Sequence, residues 1–272
     1  MILYIYTEIY NYLSLNKQFF SMPLEIITFL ENHLSRNFKL ENNFSYNGIS
    51  YVVDKNGLLI GLTLCDTALN YLPDEILSVK SIKYLSLYSN NLKEIPRLIN
   101  QLTNLEILYL SYNQLQTLPP ELCDLKNLKI LFVQDNILTT LPSNLGNLTN
   151  LQELRIYDNN LTDLPTSIGN LENLEVLWIN KNNLLQLPES IADLRKLKYL
   201  YANNNNLQGL PDITSLQNLE VLHLSSNHLI NDKKIPFDSP NLKLVDLRRN
   251  PLSSEMKKFL EAKPNEKLKI KY

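Results

Sequence analysis

The residue types that most often carry catalysis or bind metals are few in this chain. The three histidines, His33, His223 and His228, do not have the spacing of a metal-binding motif. Cys65 has no obvious general base beside it, Cys123 is interpreted as a packing residue, and the sequence contains no glycine-rich phosphate loop. The sequence therefore predicts no enzyme activity, no metal site and no cofactor.

A second set of residues suits binding. At equal intervals along the sequence the chain carries Tyr109, Phe132, Arg155, Trp178 and Tyr201. Aromatic side chains and arginine supply most of the hot spots of protein interfaces. Residues at such regular spacing share one surface if the chain itself is built from stacked units of that length.

Such a unit is present. The segment from Leu105 to Asn127 reads LEILYLSYNQLQTLPPELCDLKN, and the next, from Leu128, reads LKILFVQDNILTTLPSNLGNLTN. The spacing is constant, except that the step from Leu197 to Leu219 is shorter by a single position. The equivalent first positions are Leu59, Ile82, Leu105, Leu128, Leu151, Leu174, Leu197, Leu219 and Leu242. The chain is therefore predicted to be a stack of repeats.

Each unit predicts a strand, a turn and a short helical segment. Leu108 and Leu110 alternate with Ile107 and Tyr109, as in a half-buried strand, and stacked copies would form a parallel sheet with strands about 4.8 Å apart. The Leu-Pro pair ends the strand, and the following PxxIxxL portion predicts a helical or 3₁₀ turn on the side opposite the sheet. An asparagine ladder is predicted after the strands at Asn90, Asn113, Asn136, Asn159, Asn182, Asn205, Asn227 and Asn250, with Thr67 in the first unit.

The unit LxxLxLxxNxLxxLPxxIxxLxN resembles the leucine-rich-repeat family, of the short type common in intracellular and bacterial proteins. The resemblance implies an α/β solenoid: a curved, right-handed arc with a parallel sheet on the concave face and short helical or 3₁₀ turns on the convex face. It also implies a binding module, although a shared fold says less about function than about structure.

The sequence around the repeats predicts two caps, because the ends of a solenoid would otherwise expose its core. We expect an extension over residues 1–21, upstream of Met22, where translation is suspected to start. Residues 22–57 are predicted to form an N-terminal cap, with a helix over residues 23–36 and a hairpin. The helix face comprises Leu24, Ile27, Leu30 and Leu34.

The repeats are predicted to span residues 58–252 and a C-terminal cap residues 253–272. In that cap, SSEMKKFLEA predicts a helix with a serine N-cap, and KLKIKY predicts an edge strand whose lysines suit an exposed edge. The stretch INDKKIPFDSPN lacks Leu-Pro at the usual place and predicts a distorted coil that accommodates the cap.

The third, fifth, seventh and eighth positions of each unit are predicted to face the concave side or its edge. There the fold does not dictate residue type, so the identity of these residues carries functional information. The candidate protein-binding residues are Tyr84, Tyr109, Phe132, Glu153, Arg155, Tyr157, Trp178, Tyr199, Tyr201 and His223. The alternative interpretation is that these rings stack only to stabilise the sheet, since such pairs contribute about 0.5–1.5 kcal/mol each.

The composition limits the possible partners and location. The formal net charge of −2 indicates neither a nucleic acid nor an anionic membrane as partner, and no stretch has the length and apolarity of a membrane helix. Two cysteines without a terminal cysteine cluster favour the cytoplasm. We expect a monomeric, non-catalytic module that binds a protein or peptide on its concave face. The alternatives are the substrate-recognition arm of a larger enzyme or effector, such as a ligase or a GTPase regulator, and a secreted recognition or adhesion protein.

Overall fold

The computed structural model describes residues 23–263 and 268–272, with the backbone alone at residues 23 and 24. The expected extension over residues 1–21, the suspected start at Met22 and the side chain of Leu24 lie outside the described residues. Among the described residues, no helix is both long and apolar enough to cross a membrane.

The described chain forms one sheet of twelve strands, which follow one another in sequence order. Neighbouring strands are parallel, apart from the antiparallel pair of β2 and β3. The strands are β1 (Lys39–Leu40), β2 (Ile49–Val53), β3 (Leu59–Leu64), β4 (Tyr84–Ser86), β5 (Ile107–Tyr109), β6 (Ile130–Phe132), β7 (Glu153–Arg155), β8 (Val176–Trp178), β9 (Tyr199–Tyr201), β10 (Val221–His223), β11 (Leu244–Asp246) and β12 (Lys269–Lys271).

The constant repeat length explains the strand pairing. Leu108 in β5 lies opposite Leu85 in β4 and Leu131 in β6, and all three side chains are fully buried. Equivalent positions of every unit therefore fall into columns that cross the sheet. The shorter unit that begins at Leu197 keeps this pairing, since Tyr201 lies opposite His223. The predicted parallel sheet with an inward leucine column is confirmed.

The asparagine ladder bonds as the sequence predicts. The Asn113 amide donates to the carbonyl oxygens of Leu87 (2.9 Å) and Leu110 (3.0 Å), and its oxygen accepts the Leu92 N–H at 3.0 Å. Each amide thus joins its own turn to the preceding repeat. The residue before each asparagine has a positive φ, for example 57° at Tyr112. The left-handed turn carries the chain off the sheet and towards the convex side.

Short helical segments line the convex side, as predicted. Proline precedes most of them in an extended conformation, for example φ −64° and ψ 147° at Pro96, so the segment begins immediately after a fixed bend. The first is one turn of α-helix, α2 (Asp74–Leu77). The others are 3₁₀ helices at Arg97–Gln101, Pro120–Asp124, Leu145–Asn147, Thr166–Asn170 and Glu189–Asp193.

The N-terminal cap consists of helix α1 (Pro23–Leu34) and the β2–β3 hairpin, both expected from the sequence. The helix ends two residues before the predicted boundary, because Ser35 adopts a φ of 50°. It buries Ile26, which the predicted face omitted, together with Ile27 and Leu30. Strand β1, which extends the sheet by pairing with β2, was not predicted.

The C-terminal cap consists of helix α3 (Ser254–Glu261) and strand β12, which pairs in parallel with β11. The Ser253 hydroxyl accepts the N–H of Met256 at 3.0 Å, so the predicted serine N-cap is present. In the irregular coil before the cap, the ring of Phe237 packs against Phe259 of α3, with centroids 5.6 Å apart. This contact agrees with the interpretation that the coil accommodates the cap.

Candidate protein-binding face

The fifth positions of consecutive strands form a continuous stack across the sheet, which we call the aromatic column. It comprises Tyr109, Phe132, Arg155, Trp178, Tyr201 and His223. Ring centroids lie 4.7 Å apart for Tyr109 and Phe132, 4.4 Å for Trp178 and Tyr201, and 5.4 Å for Tyr201 and His223. All six side chains are half-buried, so each presents part of its surface to solvent.

Arg155 joins the two halves of the aromatic column. Its guanidinium carbon lies 4.2 Å from the centre of the Phe132 ring and 5.0 Å from that of Trp178. Two of its nitrogens, Nε and Nη2, each lie 2.6 Å from Oε1 of Glu153. Cation–π contacts of this kind contribute about 0.5–2 kcal/mol each. The arginine is thus held rigidly in the stack, with its charge paired.

The remaining predicted binding residues flank the aromatic column. Tyr157, at a seventh position, lies 5.7 Å from the Trp178 ring. Tyr199, at a third position, donates its hydroxyl to Glu220 at 3.4 Å. The structure therefore brings these side chains together with Glu153 on one face. Tyr84 is also on this face, but it is covered.

A loop of the N-terminal cap covers the first repeats. This segment, residues 41–48, is named the cap loop. Its Phe44 ring lies 5.4 Å from Tyr84 and 5.9 Å from Tyr109, and its Tyr46 ring meets Tyr109 edge-on at 5.9 Å. The open part of the aromatic column therefore begins at Phe132. The contact of the cap loop with these rings was not predicted from the sequence, although two aromatic residues at alternate positions, Phe44 and Tyr46, are present there.

The cap loop is also held through its backbone. The Ser45 carbonyl oxygen accepts the Thr63 hydroxyl at 2.6 Å, and the Tyr46 carbonyl oxygen accepts the Ser86 hydroxyl at 2.8 Å and the Cys65 thiol at 2.6 Å. These three donors occupy fifth and seventh positions of the first two repeats, and all three residues are buried. The cap loop therefore occupies a part of the concave face that the sequence predicts to be open.

The far end of the aromatic column is an ionic cluster. Asp246, whose side chain is fully buried, accepts two short hydrogen bonds from Arg248 (3.0 Å at Oδ1, 2.6 Å at Oδ2). Burial acts to raise the pKa of Asp246, but the hydrogen bonds and charge of Arg248 outweigh it and the pKa is lowered. The His223 ring lies 3.8 Å from this carboxylate. Burial lowers the pKa of His223 despite the nearby negative charge, so the ring is neutral at pH 7.

Charged residues line both edges of the concave face. At the second positions, charges pair across strands: Lys129 with Glu106 at 2.7 Å, and Lys243 with Glu220 at 2.6 Å. At the eighth positions, burial and the neighbouring Asp158 raise the pKa of Asp135. At this second edge Asp158 is paired with Lys181 at 2.7 Å, so both edges carry ion pairs between neighbouring strands.

Polar atoms beside the aromatic column are buried without a hydrogen-bond partner in the described structure. They are Nε1 of Trp178, Oε1 of Gln134, Oδ1 of Asn180 and Oγ of Ser111. Three of the four residues occupy seventh positions, the same positions as Cys65. A buried polar atom without a partner costs about 1–3 kcal/mol. These four atoms therefore have unused hydrogen-bonding capacity beneath the surface of the face.

The cysteines are buried and free. Burial raises the pKa of Cys123 to about 12 and also raises that of Cys65, so both are thiols at neutral pH. Among the described residues, no group of three or more histidine, cysteine, aspartate or glutamate side chains is placed to hold a metal ion.

The family model described as a leucine-rich repeat region matches residues 59–162 and 154–235, and the chain belongs to this family. It is similar to a Leptospira interrogans leucine-rich-repeat protein, with 31% identity and a TM-score of 0.61 over 75% of this chain and 58% of that one. The leucine-rich-repeat domain of a type III effector is 26% identical, with a TM-score of 0.64 over 80% of this chain and 77% of that one.

A further similar structure holds a ligand. The ectodomain of the Arabidopsis thaliana receptor kinase GASSHO1/SCHENGEN3, in complex with CASPARIAN STRIP INTEGRITY FACTOR 2, is 29% identical with a TM-score of 0.66. The match covers 76% of this chain and 29% of the ectodomain. The search of curated protein sequences finds no match. The chain thus has a leucine-rich-repeat fold, and it spans less than two thirds of the Leptospira and Arabidopsis structures.

Proposed function

We propose that this chain is a non-catalytic module that binds a partner protein or peptide on the open part of its concave face. The observation that carries the proposal is the aromatic column from Phe132 to His223, a rigid and half-exposed stack. Aromatic side chains and arginine are enriched where interfaces gain most of their affinity. Because the rings already hold each other in place, a partner need not order them, which reduces the entropic cost of binding.

The comparisons support this proposal at the level of the family. The similar Arabidopsis receptor was solved with a bound ligand, and leucine-rich-repeat domains commonly serve as interaction modules. We further propose that the module acts as a monomer in a reducing compartment such as the cytoplasm. The two buried free thiols support that location. Fractionation of cells that express the chain, with markers for each compartment, tests it.

The central test identifies the partner by photo-crosslinking. A photoreactive phenylalanine analogue replaces Trp178 on the concave face or, as the matched control, Leu98, an exposed apolar residue on the convex side. We expect a partner protein that crosslinks from position 178 and not from position 98. Crosslinking of the same protein from both positions would contradict concave-face recognition.

A quantitative test follows with the purified partner. The double variant Phe132→Ala and Trp178→Ala removes two central rings, and each removal at a hot spot costs at least about 2 kcal/mol, or more than tenfold in affinity. Leu98→Ala is the control and should bind normally. Circular dichroism establishes that each variant is folded. Unchanged affinity of a folded double variant would refute the proposal.

A further inference from the structure

Arg155 shows how the concave face holds a guanidinium group. The group lies between the rings of Phe132 and Trp178, at 4.2 Å and 5.0 Å from their centres, and the carboxylate of Glu153 pairs with it at 2.6 Å. The two rings belong to repeats that are two apart, which corresponds to about 9.6 Å between strands. Two rings at this separation, together with one carboxylate, therefore accommodate a planar guanidinium.

A second pair of rings with the same separation lies towards one edge of the face. Tyr112 is at an eighth position and Tyr157 is at a seventh position two repeats later, and Asp135 occupies the eighth position of the repeat between them. These three residues are named the Asp135 site. The ring of Tyr88, in the preceding repeat, supports Tyr112 at 5.0 Å, and that of Trp178, in the following repeat, supports Tyr157 at 5.7 Å. Each ring is thus held from its outer side, and the intervening repeat contributes a carboxylate in place of a third ring.

The carboxylate of Asp135 is not fully compensated by the charges of its own chain. Burial and the neighbouring Asp158 raise its pKa, which means that the charged form is less favourable here than in water. Lys181 acts in the opposite direction, but its ammonium group pairs with Asp158 at 2.7 Å. Within the described part of the chain, Asp135 itself takes part in no salt bridge. A cation bound beside Asp135 would therefore compensate a charge that is still available.

The ring of Tyr112 is available to a ligand and is not required by the turn. Its side chain is 46% exposed, and its φ of 57° is one that bulky residues rarely adopt. The equivalent eighth positions of the other repeats carry only aspartate, serine, asparagine, lysine or arginine, at residues 66, 89, 135, 158, 181, 204, 226 and 249. The turn therefore forms with small or charged residues, and the aromatic side chain at this position is free to serve recognition.

We propose that the Asp135 site binds an arginine side chain of the partner protein. The guanidinium stacks between Tyr112 and Tyr157 and pairs with Asp135, as Arg155 does with its own rings and carboxylate. Arginine is favoured over lysine because its planar group stacks on aromatic rings. The site adjoins the aromatic column through the contact of Tyr157 with Trp178, so that one partner can reach both. This inference rests on the proposed function and identifies the chemistry of one partner residue.

The first test is a titration of the full-length chain with a single arginine side chain, followed by nuclear magnetic resonance. The probe is N-acetyl-arginine methylamide, and the matched control is N-acetyl-citrulline methylamide, which has nearly the same shape without the charge. We expect saturable shifts of the amide signals of Tyr112, Asp135 and Tyr157, with a dissociation constant below about 10 mM. The citrulline compound should bind at least about tenfold more weakly. Equal binding of the two compounds, or no saturable shift with the first, would overturn the proposal.

Protein variants locate the arginine. Asp135→Asn removes the charge and keeps the shape, and it should weaken the arginine probe at least about tenfold. Asp193→Asn makes the same change at an exposed residue on the convex side and should leave the affinity unchanged. Tyr112→Ser introduces the residue that the preceding repeat carries at Ser89, so the fold should be kept while the affinity falls about two- to fivefold. Circular dichroism establishes that each variant is folded, and unchanged affinity in folded Asp135→Asn or Tyr112→Ser would reject the site.

The purified partner separates this inference from the proposed function. Asp135→Asn should weaken partner binding and make the remaining affinity less sensitive to salt, because an ion pair is lost. A partner that requires Phe132 and Trp178 but binds Asp135→Asn normally would leave the proposed function intact and reject the arginine contact. A partner that is insensitive to the variants at all three positions would reject the proposed function itself.

Discussion

The asparagine ladder allows its contribution to stability to be worked out bond by bond. The side chain of Asn136 accepts the N–H of Leu115 at 3.0 Å and donates to the carbonyl oxygens of Leu110 and Val133, both at 3.0 Å. Each carbonyl oxygen has a second donor, since Asn113 also reaches Leu110 and Asn159 also reaches Val133. In Asn136→Ala, only the N–H of Leu115 is left without a partner.

The expected loss for Asn136→Ala follows from this count. One buried unsatisfied N–H costs about 1–3 kcal/mol, and each carbonyl oxygen that loses one of two donors adds about 0.5–1 kcal/mol. The free energy of unfolding should therefore fall by about 2–5 kcal/mol. Asn250, in the last repeat, makes the same three bonds at 2.8–3.0 Å but is half-exposed. Water can replace its amide, so Asn250→Ala should cost about 1 kcal/mol.

Urea-induced unfolding measures both variants. Circular dichroism follows the whole sheet, and the fluorescence of Trp178 follows the central repeats two units from Asn136. Stacked repeats can unfold in parts, so the slope of each transition must be compared along with its midpoint. The outcome that contradicts the reasoning is an equal loss in the two variants, because burial would then not govern the ladder.

Two further properties can be predicted from the structure. Burial lowers the pKa of His223 in the folded chain from its ordinary value of 6.5. As the pH falls below 6.5, His223 is therefore protonated more readily in the unfolded chain, and the free energy of unfolding should decrease. Melting temperatures at pH 7.5 and 5.5 should therefore differ more for the wild type than for His223→Phe, and equal differences would exclude this origin. Gly146→Ala places a Cβ against the Ser167 carbonyl oxygen and should cost about 1–3 kcal/mol in urea unfolding. Gly209→Ala, whose Cβ would lie 3.7 Å from Asp232, is the control and should be close to neutral.

The repeat length made the body of the fold predictable. A constant period determines which side chains share a column. The repeat spacing therefore predicted the leucine column, the asparagine ladder and the position of Trp178 beside Tyr201. The stacking of Arg155 between Phe132 and Trp178 was not predicted in detail, but its place in the column was. Periodicity carries such information because each repeat contacts its neighbours in the same way.

The features outside the repeat could not be predicted in the same way. Phe44 and Tyr46 of the cap loop reach Tyr84 and Tyr109, which lie far along the sequence, and the alternate spacing of the two rings does not indicate which distant residues they contact. The lowered pKa of His223 depends on how deeply the end of the column is buried, which the residue type does not reveal. The candidate residues therefore lie on one face of the sheet, as predicted, but the sequence did not distinguish the covered part of that face from the open part.

The two interpretations of the aromatic column are compatible. Stacking of Trp178 on Tyr201 stabilises the sheet, and the same contact fixes the exposed ring faces in one arrangement. A surface that is held in its binding geometry loses little conformational entropy when a partner docks. The cap loop supports this view, because its Phe44 ring stacks on Tyr109 while Tyr109 remains in contact with Phe132. If stability alone had selected the rings, Tyr201→Ala would lower the melting temperature and leave the affinity for the partner unchanged.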